Sequence, residues 1–201
     1  MVGPSTAEGV SLGFRVKTGR AIAVVLAGPG KAPKVLARRE LVLSDEAVPE
    51  SFQPYHAGLE LPPSEAEAIV QRLSEIVRRV SSAAVQELVD ELRRSDREPR
   101  GAGIVVGSLV DPGMIKNPHM HAHAAEGRLF FESVAAALER QGLPPSVHTE
   151  KDIYVDAAKV LRTTEGTLDR AVLAMGKAFG KPWRLEEKAA ALAAWVALSG
   201  W

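Results

Sequence analysis

The chain contains no cysteine, which excludes disulfides, thiolate zinc sites and cysteine nucleophiles together. No apolar run approaches the ~20 residues of a membrane span, and the N-terminal MVGPSTAEGV lacks the basic-then-apolar order of a signal peptide, so a cytoplasmic protein without membrane contact is expected. An excess of charge of either sign is missing too. The 25 Lys and Arg balance 25 Asp and Glu, which removes the bulk electrostatic attraction to nucleic acid or membrane and leaves such partners only a local patch. Local asymmetry does exist: residues 1–39 hold seven Lys or Arg against Glu8, and residues 40–75 hold eight acids against Arg72. Phosphate-loop signatures are also lacking, since Gly28-Pro29-Gly30 and Gly101-Ala102-Gly103 have the wrong spacing for a dinucleotide fingerprint or a Walker sequence. Gly107-Ser108-Leu109 is not a Gly-x-Ser-x-Gly elbow, so a serine hydrolase triad is not expected.

What is present fits one globular domain. With 201 residues, 46% hydrophobic and 25% charged, the chain can bury one sizeable core. After a loose start over residues 1–9, Leu12, Phe14 and Val16 alternate with Ser11, Gly13, Arg15 and Lys17, the period of a half-buried strand. Lys17-Thr18-Gly19-Arg20 turns the chain, Ile22 to Leu26 form a second strand, and KVLARRELVL forms a third, giving an antiparallel meander. Residues 44–63 make an irregular, proline-containing connection with Tyr55-His56, and long loops of this kind are often functional. Ser64 and Glu67 suggest a capping box for a long amphipathic helix to about Arg94, with a bend near Ser81-Ser82. The β-branched run 103–110 reads as a central strand covered on both faces, ended by Asp111-Pro112-Gly113. A histidine-bearing helix follows to about Gln141, SVHTEKDIYV offers a fifth strand, and helices headed by Thr164 and by LEEKAAALAAWVAL close the chain. The expected organisation is an α/β domain over 10–162, with C-terminal helices over 163–201 packed on it.

Three strands, helix, strand, helix, strand, helices is an order that resembles the ribonuclease H-like superfamily, whose actin-like ATPases and sugar kinases share a ββαβαβα plan. The resemblance implies a three-layer domain with a five-stranded mixed sheet and an α-helical C-terminal extension. In the actin-like branch the first hairpin reads roughly Gly-Ile-Asp-x-Gly-Thr, and Gly13-Phe14-Arg15-Val16-Lys17-Thr18 stands in its place. Gly13 and Thr18 match. Arg15 replaces the metal-linked aspartate and Lys17 the second glycine, which argues against ATP or two-metal chemistry of the usual kind. Nuclease branches place an acid before an alanine-rich stretch of the last helix, and Glu186-Glu187-Lys188-Ala189-Ala190 is similar.

Three groups of residues are candidates for chemistry. Asn117 caps, and Pro118 opens, the helix that carries His119, His121 and His123. His119, His123 and Glu126 fall at i, i+4 and i+7, along one side, and share a stripe with Phe130 and Val134, so His119 and His123 are expected to face inward and His121 outward. Two imidazoles with a carboxylate suit a divalent transition metal. With Asp111 at the end of the fourth strand, the expected metal set is His119, His123 and Asp111, and the catalytic set is Asp111, His119, His123, Glu126 and Glu150. Glu150 belongs to a second group, His148, Glu150 and Asp152, which period-two spacing puts on one face of the fifth strand. The third group is the first hairpin, where Arg15, Lys17, Thr18 and Arg20 would bind an anion through backbone N–H groups and charge. The expected function is a degenerate ribonuclease H-like or actin-like domain that binds a phosphorylated ligand, nucleic acid or a protein partner. The alternative is a metal-dependent nuclease or phosphoesterase using the Asp111/His119/His123 region. Trp183, Trp195 and Trp201 also leave room for a homo-oligomer.

Overall fold

The structure, a computed structural model, describes residues 7–200; the start of the chain and Trp201 lie outside the described residues. Five strands form one mixed sheet in the order β3-β2-β1-β4-β5. Strand β1 (Glu8–Lys17) pairs antiparallel with β2 (Arg20–Ala27), which pairs antiparallel with β3 (Lys34–Val42). On its other side β1 pairs parallel with β4 (Arg97–Val106), and β4 pairs parallel with β5 (Ser146–Thr149). The centre of the sheet is therefore β1, not the 103–110 run. That run leaves the sheet after Val106, and the polar residues before it, from Arg97, are already strand.

Helices α1 (Pro63–Arg94) and α2 (Pro118–Arg140) cover one face of the sheet. Helices α3 (Ile153–Val160), α4 (Glu165–Phe179) and α5 (Leu185–Leu198) cover the other. Val10, Leu12, Phe14 and Val16 of β1 pack into the first layer with Val77, Val85 and Leu88 of α1 and Phe130, Val134 and Leu138 of α2. Alternation in β1 does not mark a solvated face, however. Ser11 and Arg15 are as buried as their apolar neighbours, because the α3–α5 layer closes over the other face, and β2 is buried on both sides for the same reason.

Glycine makes that closure tight. A Cβ on Gly13 would stand 1.9 Å from the Ala190 carbonyl oxygen, and one on Gly103 would stand 2.7 Å from that of Ala193. Helix α5 answers with small residues, burying Ala189 to Ala194 without interruption. Backbone lies almost on backbone here, so the direction of α5 is fixed against β1 and β4, and its first turn is set beside the end of the β1–β2 hairpin. That hairpin turns at Gly19, whose φ of 75° favours a residue without a Cβ.

Several local expectations change. Helix α1 starts from Pro62 at the cap position with no side-chain cap, so Ser64 and Glu67 do not form a capping box; a proline at the first helical position needs none of its own N–H satisfied. The helix runs unbroken through Ser81-Ser82. Strand β5 ends at Thr149, and the segment beyond it turns into α3, so Glu150 and Asp152 do not share a strand face with His148. Asn117 and Thr164 do cap α2 and α4, accepting from Met120 N and Thr167 N. No described helix is long and apolar enough to cross a membrane.

Candidate functional site: a basic cleft beside a histidine cluster

A cleft of about 430 Å³ opens at the C-terminal ends of β1 and β4. Arg15, Lys17, Thr18 and Arg20 of the first hairpin line one side, Val106, Gly107 and Ser108 the floor, and His123, Ala124 and Gly127 of α2 the other side. The four hairpin residues expected to bind an anion are thus brought together in one cavity. A larger groove of about 710 Å³ lies between the β2–β3 turn and α4. Its lining is apolar apart from Lys31 and Lys34, and it holds no carboxylate or imidazole.

Charge in the cleft is heavily paired. Arg15 is 4% exposed; its Nη1 donates to the Val16 carbonyl at 2.6 Å and its Nη2 to Glu150 Oε2 at 2.5 Å, while Nε has no partner. The turn after β5 thus carries Glu150 to the end of β1, joining a residue expected to be catalytic with one expected to bind ligand. Lys17 Nζ lies 2.5 Å from Glu186 Oε1, and Arg20 Nη2 lies 2.8 Å from Glu186 Oε2. Burial by itself pushes the Glu186 carboxyl up, but Lys17 and Arg20 outweigh it and hold the group below the ordinary carboxylate range. Next along α5, Glu187 is buried against Arg38 at 3.1 Å and also accepts from the Arg184 N–H.

A carboxylate-held magnesium ion does not fit these residues. A guanidinium occupies the strand position, and the acids paired with the hairpin, Glu150, Glu186 and Glu40, already carry cationic partners. The hairpin cations in turn repel a metal ion while offering N–H donors to an anion.

The histidines are arranged differently from the expectation. His119 and His123 are exposed and His121 is half-buried, the reverse of the phase drawn from Phe130 and Val134. The buried stripe of α2 runs through Ala122, Ala125, Glu126 and Leu129. The first turns of α2 meet the 3-10 turn His56–Gly58, and His119 and His123 project toward that turn instead of the sheet. There they meet His56, the functional candidate that spacing did not single out. His56 Nε2 lies 3.2 Å from His119 Nδ1, and His119 Nε2 lies 3.1 Å from His123 Nε2. One ring nitrogen from each falls within 4.8 Å of the others. Glu126, fully buried, accepts at Oε1 from the His56 backbone N–H at 3.1 Å and lies 2.8 Å from His56 Nδ1.

Asp111, expected in the same metal set, lies apart from this cluster. It caps the 3-10 turn Pro112–Met114 by accepting from Gly113 N, and it meets Arg128 at 3.3 Å. His121 is held by the Pro112 carbonyl at 2.9 Å. His148 is fixed between Asp156 and Ser146, at 2.8 and 3.1 Å, and Asp152 accepts from the Thr149 hydroxyl.

With this architecture in place, solved structures supply a decisive comparison. RuvC of Thermus thermophilus matches at a TM-score of 0.55 and 13% identity, over 93% of this chain and 92% of that one. The chain carries the ribonuclease H-like fold. A structure of the same T. thermophilus RuvC in complex with a Holliday junction substrate matches at 0.55 and 12% identity, over 93% and 90% of the two chains. No protein-family model and no curated protein sequence matches the chain. Within this ribonuclease H-like fold, Arg15 stands on the central strand in the segment that resembles the metal-binding hairpin, so the replacement read from the sequence falls in the cleft itself.

Proposed function

We propose that this ribonuclease H-like domain binds nucleic acid through the β1–β2 hairpin cleft without the two-metal chemistry associated with the fold. The observation that carries the reading is the presence of Arg15, Lys17 and Arg20 in the lining of one cavity that includes no carboxylate; the acids paired with them are Glu150, Glu186 and, at 3.8 Å, the exposed Glu40. A cleft lined by three cations and by no carboxylate takes an anion more readily than a cation, and a phosphodiester backbone supplies regularly spaced anions. The neighbour of the same fold and length that was solved with a Holliday junction supports choosing nucleic acid within the class of phosphorylated ligands. Lys17 and Arg20, partly exposed, make the phosphate contacts. Buried Arg15 holds Glu150 and supplies field more than contact.

The test is fluorescence anisotropy with a labelled four-way junction, a duplex and a single strand, titrated over salt. Log affinity should fall linearly with log salt, and each phosphate contact removed should reduce the slope by about one. Lys17→Ala and Arg20→Ala should each weaken binding several-fold and flatten the slope, with magnesium dispensable. Affinity indifferent to both substitutions would remove the reading.

A second reading, a phosphoesterase, has one observation in its favour: His123 lines the cleft and also belongs to the histidine cluster. Asp111 and Glu150 are engaged by Arg128 and Arg15, so hydrolysis would fall to the histidines. Cleavage of a junction or duplex by wild type, lost in His123→Ala, would favour it.

A further inference from the structure

We infer that His56, His119 and His123 form a divalent transition-metal site, with zinc(II) the best-suited ion and Glu126 the carboxylate that orients His56. It stands independently of the nucleic-acid reading. Three observations converge on it.

The first is the spacing of the donors. A four-coordinate zinc ion with Zn–N bonds of ~2.0–2.1 Å holds its ligand nitrogens about 3.3 Å apart. The contacts here are 3.2 Å from His56 Nε2 to His119 Nδ1 and 3.1 Å from His119 Nε2 to His123 Nε2, through different His119 nitrogens; with one nitrogen taken from each ring, all three lie within 4.8 Å of one another. Ring centroids lie 4.4 to 4.8 Å apart, close enough for small rotations about the side-chain bonds to point one nitrogen of each ring at a common centre. His119 and His123, one helical turn apart on α2, set two donors from a rigid element. His56 supplies the third from the long connection before α1.

The second observation is the tautomer that Glu126 imposes. Its Oε1 lies 2.8 Å from His56 Nδ1, so that nitrogen carries the proton and Nε2 is left with its lone pair toward His119 and His123. A carboxylate on the far nitrogen of a ligating imidazole is the arrangement that fixes ring orientation and raises ligand basicity.

The third is a poorly compensated charge. Glu126 is fully buried, its Oε2 has no hydrogen-bond partner, and among the described residues its ion-pair partner is His56 and not a Lys or Arg. A buried carboxylate with a free oxygen is stabilised by positive charge nearby. A dication beyond His56 Nε2 supplies that charge. The dication satisfies all three lone pairs and the carboxylate together. Three donors leave a fourth position for an oxygen ligand, on the side where His119 and His123 are exposed.

The experiment uses the full chain without a histidine tag. Zinc content is measured after purification, and cobalt(II) is titrated into metal-stripped protein while visible absorption is read. The expected result is one ion per chain, an intense tetrahedral cobalt spectrum, and a melting temperature raised by zinc. His123→Ala, at an exposed position, should fold normally and lose at least 100-fold in cobalt affinity, as should His56→Ala and His119→Ala. Glu126→Gln should weaken binding about 10- to 100-fold; if that buried change prevents folding, the His123→Ala comparison still decides. His121→Ala and His148→Ala should bind as wild type does. No saturable binding at millimolar zinc, or binding unchanged in His123→Ala, overturns the site.

Discussion

Glu186→Gln should tighten nucleic-acid binding, a direction opposite to what loss of a polar residue from a binding cleft ordinarily produces. Glu186 lies beside the hairpin, 2.5 Å from Lys17 Nζ and 2.8 Å from Arg20 Nη2, the two cations proposed to contact phosphate. On that reading a phosphate must displace it. Lys17 and Arg20 are 46% and 36% exposed, so each pair is screened, and an exposed pair contributes ~0.2 to 1 kcal/mol. Releasing two such pairs contributes about 1 kcal/mol to the binding of a competing anion, which is roughly a three- to tenfold gain in affinity. The salt dependence gives a second signature. Glu186 serves as a fixed counterion; when it is absent, mobile ions neutralise the cations and are released on binding, so the slope of log affinity against log salt should steepen by up to about one. The assay is the anisotropy titration with junction DNA at several salt concentrations. Weaker binding by Glu186→Gln would refute the reasoning, because it would make Glu186 part of the ligand contact instead of its competitor.

The same residue has a pH consequence. Its folded pKa is lowered by Lys17 and Arg20 in spite of burial, so its contribution to stability is present above the unfolded carboxylate pKa and is lost as pH falls through the depressed folded value. The acid limb of a stability profile should therefore shift in Glu186→Gln, with no difference from wild type once both carboxyl states are protonated. Glu150→Gln should destabilise more than Arg15→Met: the first strands a buried guanidinium, while the second leaves a carboxylate that is 45% exposed and can be hydrated. A difference of about 1 kcal/mol in urea unfolding is expected, and the reverse order would show that Arg15 is held by something else. Gly13→Ala should cost about 3 kcal/mol or more, above the usual range for overpacking, because the added carbon meets the α5 backbone at 1.9 Å and no rotamer relieves it. A melting temperature within a degree or two of wild type would mean that α5 can move off the sheet.

The order of the elements was legible because each has a strong local signal. Val10 to Val16 alternate, 103–106 are β-branched, Asn117-Pro118 and Thr164 start helices, and Gly19 and Gly142 adopt positive φ at the ends of elements. What alternation in β1 could not disclose was the second covering layer. Ser11, Gly13 and Arg15 read as a solvated face, and only the alanine run of α5 packed against Gly13 makes them interior. The choice of 103–110 as the central strand failed for a related reason, since a run covered on both faces describes β1 and β4 equally. The hairpin cleft was legible because its four residues are adjacent in sequence. The histidine cluster was only half so. Helical spacing relates His119, His123 and Glu126, but periodicity within α2 cannot say what stands opposite its first turn, and His56 arrives from 63 residues away. Burial of Glu126 beside Tyr55-His56 is a tertiary fact. The one signal available in the sequence was a histidine inside a long, irregular connection.

Sign reversal at one strand position accounts for much of the site. Gly13 and Gly103 bring α5 onto the sheet, and this close packing places the first turn of α5, with Glu186 and Glu187, at the end of β1. Acids at that turn are favoured in any case by the helix dipole. An acid in place of Arg15 would bring carboxylates from strand and helix together, and a cation would then be needed to hold them there. Here the strand and its hairpin offer Arg15, Lys17 and Arg20, so the same convergence produces ion pairs that close without a metal. The fold still gathers opposite charges at the ends of β1 and β4, but the cation is now covalently part of the chain. On the proposed nucleic-acid reading, affinity at this place would pass from cations to anions and would be limited by how readily a phosphate displaces Glu186, which would make that carboxylate the control of ligand access to the cleft.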